Sequence, residues 1–204
     1  MIDDSHKSRQ TFGFTIAVVG AAELGRRIAH AAALGGFRTI LEDISPSALE
    51  QEIAWIARAL GDEVSRGKID AVARDAALAN LSTANSAEDA SREADLIIET
   101  VSDEMEVKIE LFTIFDKFAK PGAIFASTTA SLSITELAAV TFSPERCIGM
   151  RFFTDAQHAE RLELVKGRET SEETIAACRE IGRRIGREVS VLSEEQVMSA
   201  SVGN

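Results

Sequence analysis

The stretch FTIAVVGAAELGRRIAHA, residues 14–31, constrains the fold more than any other part of the chain. Phe14 to Val19 is apolar or β-branched at every position, without alternation, which is the pattern of a parallel strand buried on both faces. A glycine turn follows directly. Leu24 to Leu34 then reads as an Ala-rich helix closed by Gly35-Gly36. A buried strand that passes through a glycine turn into a helix is the opening unit of a doubly wound sheet.

The rest of the chain alternates in the same way. Arg38 to Glu42 reads as a second strand. Ser45-Pro46 supplies a helix N-cap and first helical residue, and the helix runs to about Arg66, with Leu49, Ile53, Ile56, Leu60 and Val64 on one face. Ile69 to Leu81 is read as a second helix, so residues 46–81 form a helical hairpin after strand two. Strands are expected at 95–99, 123–127, 147–153, 161–166 and 188–192, and helices at 105–118, 134–140 and 171–185. The expected fold is therefore α/β: a Rossmann-type, doubly wound, mainly parallel sheet with a helical hairpin inserted after strand two. It occupies residues 12–192 as one NAD(P)-binding domain, flanked by polar tails at 1–11 and 193–204, the second without periodicity.

Charge narrows the partners. Twenty-two Lys and Arg against 33 Asp and Glu give a net charge of −11, a surface that repels phosphate backbones and anionic lipid. Nucleic acid and membrane are not expected partners. No apolar run approaches the roughly 18 residues of a membrane-spanning helix, and the polar N-terminus carries no signal-like apolar core. A cytoplasmic protein is the expectation. Cys147 and Cys178 lie too far apart for a metal or redox motif and read as small buried residues, with no metal site expected.

A dinucleotide's pyrophosphate needs free N–H groups at a helix start and a backbone that approaches closely. The turn Gly20-Ala21-Ala22-Glu23-Leu24-Gly25 holds the first and third glycines of GxGxxG, with Ala22 at the second. Gly20, Ala22, Glu23, Leu24 and Gly25 are candidate cofactor contacts. Asp43, 23 residues after Gly20, is placed to accept hydrogen bonds from an adenosine ribose and to disfavour a 2′-phosphate. Ala22 adds a methyl group where the pyrophosphate approaches, and Glu23 adds a negative charge. The turn thus reads either as an NAD site or as a structural remnant.

The stretches VVGAAELGRRIA, ILEDISPSALE, ADLIIETVSDEMEVKIELF, IFASTTASLSITELA, PERCIGMRFF and LELVKG, in this order, resemble the NAD-binding domain of 3-hydroxyacyl-CoA dehydrogenases. The resemblance spans Ile16 to about Leu192. It implies an NAD-dependent oxidoreductase of fatty-acid metabolism, with acyl-CoA or a related small molecule as partner and the hairpin after strand two contacting acyl-CoA. The family's helical C-terminal domain is expected to be lacking, so any homodimer would use another surface. By the same resemblance Gly20, Gly25 and Asp43 fall at cofactor-binding positions, Asp103 stands where the family has Glu, and Lys108 matches a cofactor-side lysine. Asp103 also reads as a helix cap before Met105, and Lys108 as a solvated helix residue.

The catalytic positions depart from the family. Its general base is a His directly before Phe-Phe, with an orienting Glu twelve positions later; here Arg151 precedes Phe152-Phe153 and Glu163 lies twelve residues on. An arginine stays protonated and cannot accept the hydroxyl proton. The family serine that meets the substrate oxygen is Ala130. Ser131, Thr154 and Arg66 remain as candidate substrate contacts, with Ala59 at the hairpin's other CoA-contacting position. Arg151 is read as a buried ion pair with Glu163 or as a binder of an anionic ligand group. His158 and His6 read as solvated, His30 as packed. The resemblance therefore implies an oxidoreductase domain with impaired catalysis, or alternatively a catalytically silent nucleotide- or CoA-binding module or interaction domain.

Overall fold

A computed structural model describes residues 13–154 and 160–201. The strands β1 (Thr15–Val19), β2 (Arg38–Glu42), β3 (Leu81–Ala84), β4 (Leu96–Glu99), β5 (Ile124–Ser127), β6 (Cys147–Thr154), β7 (Glu160–Lys166) and β8 (Glu188–Ser193) form one sheet in the order β3-β2-β1-β4-β5-β6-β7-β8. Every neighbouring pair is parallel except β6 with β7. The helices are α1 (Glu23–Leu34), α2 (Pro46–Ser65), α3 (Ala71–Ala79), α4 (Ala87–Glu93), α5 (Met105–Phe118), α6 (Ile134–Ala138), α7 (Glu172–Arg184) and α8 (Glu194–Ser201).

The unbroken apolar strands are explained by two cores, one on each face of the sheet. Ile16 and Val18 of β1 join α1, α2 and α7, whereas Ala17 and Val19 join α4, α5 and α6. The same division separates Leu41 from Ile40 and Ile98 from Ile97. A strand with period-two side chains must be apolar at every position when both faces are covered. The doubly wound, mainly parallel sheet expected from the alternation is the fold that forms.

Three elements differ from the sequence reading. The helix expected over 69–81 ends at Ala79, and Leu81–Ala84 is the edge strand β3. Of its four residues LSTA, Leu81 and Ala84 are half-buried and Ser82 and Thr83 exposed, so they carry little apolar pattern. Helix α4 was also not anticipated; its sequence AEDASRE is charged outside, and only Ala87, Ala90 and Ser91 face the core. The stretch after Ser193 forms α8. Ser193 and Gln196 cap it reciprocally, the Gln196 amide donating to Ser193 Oγ at 3.4 Å and the Ser193 amide to Gln196 Oε1 at 2.8 Å. His6 and His158 lie outside the described residues, and both cysteines are buried as expected.

The hairpin α2–α3 is held against α1 by side chains of mixed character. Ser45 caps α2 by accepting from the Ala48 amide, and Asp70 caps α3 from Ala73. Arg26 of α1 donates to Glu52 at 2.9 Å while its guanidinium stacks 4.5 Å from the Trp55 ring. His30 meets the same ring edge-on, so it is packed. Among the described residues, no helix is long and apolar enough to cross a membrane.

Candidate functional site

The carboxyl ends of β1, β2 and β4 converge on the glycine turn. Gly20 has φ +100°, a conformation open to glycine, and its amide donates to the Glu42 carbonyl at 3.0 Å. A Cβ on Gly25 would fall 1.9 Å from the Gly20 carbonyl oxygen, so α1 starts directly against the turn. Thr100, just past β4, closes the other side, its hydroxyl donating to the Gly20 carbonyl at 2.8 Å. Helix α1 begins after Ala22 with no side-chain cap. The amides of its first turn are therefore left to solvent or a ligand. Leu24 is half-buried, while Ala22 and Glu23 are exposed.

Asp43 is fixed across this turn. One carboxylate oxygen accepts from the Ala21 amide at 3.3 Å and the other from the Ser45 amide at 2.9 Å. A cleft of about 500 Å³ opens beside it, walled by Val101, Leu111 and Ile114 and floored by Gly20, Glu42 and Asp43. An uncapped helix start, an acid at the end of β2 and an apolar wall suit the pyrophosphate, ribose and adenine of a dinucleotide. The exposed Ala22 methyl and Glu23 carboxylate leave that fit intact, because Glu23 is turned to water, where its charge is screened.

Glu42 escaped notice as a functional residue, although an acid ending the strand RTILE was its signal. It is 4% exposed. Burial and the neighbouring carboxylates of Asp43 and Glu88 push its carboxyl up to about 7, against the pull of the Gly20 amide.

Lys108 has a different place from either sequence reading: it is neither solvated nor open to the cleft. Its ammonium, 1% exposed, donates to both oxygens of Glu99 at 2.7 and 2.8 Å. The Glu99 carboxylate also accepts from the Ser127 hydroxyl and the Val101 amide. Asp103 stands 3.8 Å from Lys108 and accepts from the Ser131 hydroxyl at 3.1 Å. Burial opposes ionisation of Asp103, but hydrogen bonds from Thr129 and Ser131, with the Lys108 charge and the Ala130 amide, outweigh it and hold the carboxyl below the usual range. Glu104, not Asp103, occupies the N-cap of α5. Glu99 and Ser127 were missed, each at the polar end of an apolar strand.

Arg151 and Glu163 face one another across β6 and β7, 3.3 Å apart and half-buried. The ion pair expected from the sequence forms, but half-exposed at the sheet surface and not buried as expected, because the core on their face of the sheet does not cover this end of β6 and β7. Ala130 and Ser131 lie near Arg151, but the space between them is about 10 Å³, closed by Val165, Glu194 and Val197. That is too little for more than one water. Thr154 donates to Glu160 at 3.0 Å, and Arg66 is the exposed C-cap of α2. A separate groove of about 520 Å³ runs between α1, α2 and the turn before β8, lined by Arg27, His30, Trp55, Ala59, Lys68 and Arg187. No group of three His, Cys, Asp or Glu side chains among the described residues could hold a metal ion.

Sheet order, glycine turn and acid together define a dinucleotide-binding domain of the doubly wound class. The chain belongs to the 3-hydroxyacyl-CoA dehydrogenase family: the family model described as 3-hydroxyacyl-CoA dehydrogenase, NAD binding domain, matches residues 15–195. The 3-hydroxybutyryl-CoA dehydrogenase of Bradyrhizobium diazoefficiens is 38% identical over 86% of this chain and 60% of its own length. A probable 3-hydroxybutyryl-CoA dehydrogenase of Bacillus subtilis is 34% identical over 84% and 60%. Among solved structures, the (S)-3-hydroxybutyryl-CoA dehydrogenase of Ralstonia eutropha superposes with a TM-score of 0.81 at 31% identity, covering 88% of this chain and 63% of that one. The chain spans about three fifths of the length of these curated relatives.

Proposed function

We propose that residues 12–192 form a single domain that binds NAD and has lost the proton-transfer chemistry of its relatives. When bound, NAD supplies a nicotinamide able to take or give a hydride. The amides at the start of α1 and the backbone of Gly20 and Gly25 would hold the pyrophosphate, and Asp43 the adenosine ribose. Asp103, ordered by Ser131 and Lys108, would lie on the cofactor side. Lys108 acts through Glu99 as a positioning residue.

One observation supports the impaired chemistry: Arg151, the residue that the family resemblance matches to the relatives' base, has its guanidinium 3.3 Å from the Glu163 carboxylate. A permanently charged group cannot accept a proton, and Ala130 offers no hydroxyl. Loss of a general base lowers turnover by about 10²–10⁴-fold. The groove at Trp55 and Lys68, where Arg27, Lys68, Arg184 and Arg187 outnumber Glu63 and Glu160, supports acyl-CoA, or a related anionic molecule, as a second ligand. Titration calorimetry with NADH, together with an absorbance assay on acetoacetyl-CoA, tests both halves. Binding is expected, with turnover lowered by about 10²–10⁴-fold or more. The double variant Arg151→His, Ala130→Ser is expected to recover little, because the space between the two positions is closed; wild-type turnover as fast as that of a relative that keeps the base would overturn the reading.

A further inference from the structure

The cleft beside the glycine turn is lined by four acids and, among the described residues, by no cation. Glu42 and Asp43 come from the end of β2, Glu88 from α4 and Glu110 from α5. Asp43 has both oxygens engaged by backbone amides, so its position is fixed. Glu42 differs. In register with Val19 and Ala84, it stands between the end of β1 and the approach to α4. It lies on the same face as Ile40, the face that α4 and α5 cover, and that face opens into the cleft at the strand's end. The groups facing it are Asp43 just past the end of its strand, Glu88 on α4 and the Gly20 amide in the turn, with Glu110 on the far wall. These acids do not assemble as a metal-binding group. A buried carboxyl with acidic neighbours and no counter-cation is stable there chiefly as the neutral acid, which is a hydrogen-bond donor.

We propose that Glu42 is a specificity-determining residue of this cleft: protonated, it admits the adenosine ribose beside Asp43, and ionised, it repels the nucleotide, most strongly one with a 2′-phosphate. The inference rests on the NAD-binding reading above. A neutral Glu42 leaves Asp43 as the one acid at the ribose and adds a donor for its oxygens. Loss of the proton places a second negative charge beside Asp43, in a wall of low polarity where repulsion is poorly screened. Nucleotide binding is thereby linked to uptake of one proton.

Calorimetric titration of the whole chain with NADH at pH 6 and pH 8 tests this, using the wild type, Glu42→Gln and Glu42→Leu. NADH carries no group that titrates between these values. The wild-type Kd is expected to rise about tenfold from pH 6 to pH 8, as one linked proton requires, and to stay within about twofold in both variants. At pH 8 the preference for NADH over NADPH is expected to shrink in Glu42→Gln. The Leu variant guards against an amide that substitutes for the neutral acid. Equal pH slopes in wild type and variants would overturn the role of Glu42 while leaving NAD binding in place. Absence of NADH binding in all three proteins at both pH values would overturn the cofactor reading and this inference together.

Discussion

Removing the ammonium of Lys108 would strand the Glu99 carboxylate inside the sheet with only Ser127 and one amide as partners. Breaking one side of a buried pair costs about 3–5 kcal/mol, whereas replacing both sides with neutral groups of similar shape is far milder. Lys108→Met is therefore expected to lower the urea midpoint strongly, and Glu99→Gln with Lys108→Met to recover most of the loss. Additive effects of the two changes would contradict the pairing. Glu42 gives a pH dependence of stability. Its folded-state value of about 7 lies above the ordinary 4.5, so the folded protein keeps a proton that the unfolded chain releases. Its contribution is full below about pH 4.5, falls as pH rises to 7 and is level above that. Glu42→Gln removes the slope, so its stability relative to wild type should rise by about 3 kcal/mol between pH 4.5 and pH 8 in urea titrations. At this scale the sequence was informative where a residue type excludes a chemistry, as with Arg151. It was uninformative for Lys108, because a lysine on a helix face carries no sign of the acid that a neighbouring strand turns toward it.

Gly25 is the point at which α1 meets the turn. A methyl group there would overlap the Gly20 carbonyl, against backbone with no side chain to move aside. Gly25→Ala should destabilise the fold by about 3 kcal/mol or more and lower soluble yield, since α1 must withdraw from β1. Ala22→Gly, at an exposed N-cap, should raise the urea midpoint slightly, by on the order of 0.5 kcal/mol of stability, because Gly is preferred over Ala at such a position. Helix α8 depends on Glu194, whose carboxylate accepts from the Ser133 hydroxyl, the Thr135 amide and the Thr135 hydroxyl of α6. Glu194→Ala should lower stability by about 1–3 kcal/mol and speed amide exchange in α8 before any other helix. The central strands and the helices α1, α2, α5 and α7 were readable from apolar runs and caps. The edge strand β3 and the charged helix α4 were not, because elements that bury one narrow face leave little pattern. In α8 the signal was present in Ser193 and Gln196, and its significance came from the docking of Glu194 onto Ser133, 61 residues away.

The two cores share one sheet, so the described residues are expected to unfold as a single cooperative unit rather than as two stacked halves. Successive residues of β1 and β4 point into opposite layers, so opening one layer strips the packing that holds the strands of the other. The sequence carried this architecture in its unbroken apolar strands, but not the balance between the layers, which depends on which helices cover which face. Two thiols report on the layers separately. Cys178 of α7 lies in the core shared with α1 and α2, and Cys147 of β6 in the core shared with α4, α5 and α6. Burial pushes both thiols up to about 12, with Asp116 and Glu145 adding to the effect at Cys147, so neither forms a thiolate while the fold is intact. In the native protein both should resist a thiol reagent added as a short pulse. Across a urea gradient, the two cysteine-containing peptides, quantified by mass spectrometry, should gain label with one midpoint that matches loss of helical circular dichroism. Labelling of Cys178 at a clearly lower urea concentration than Cys147 would mean that the α1–α2–α7 layer opens by itself. The sheet would then be a platform for two semi-independent cores, and the stability changes predicted for Lys108 and Gly25 would have to be assigned to different layers.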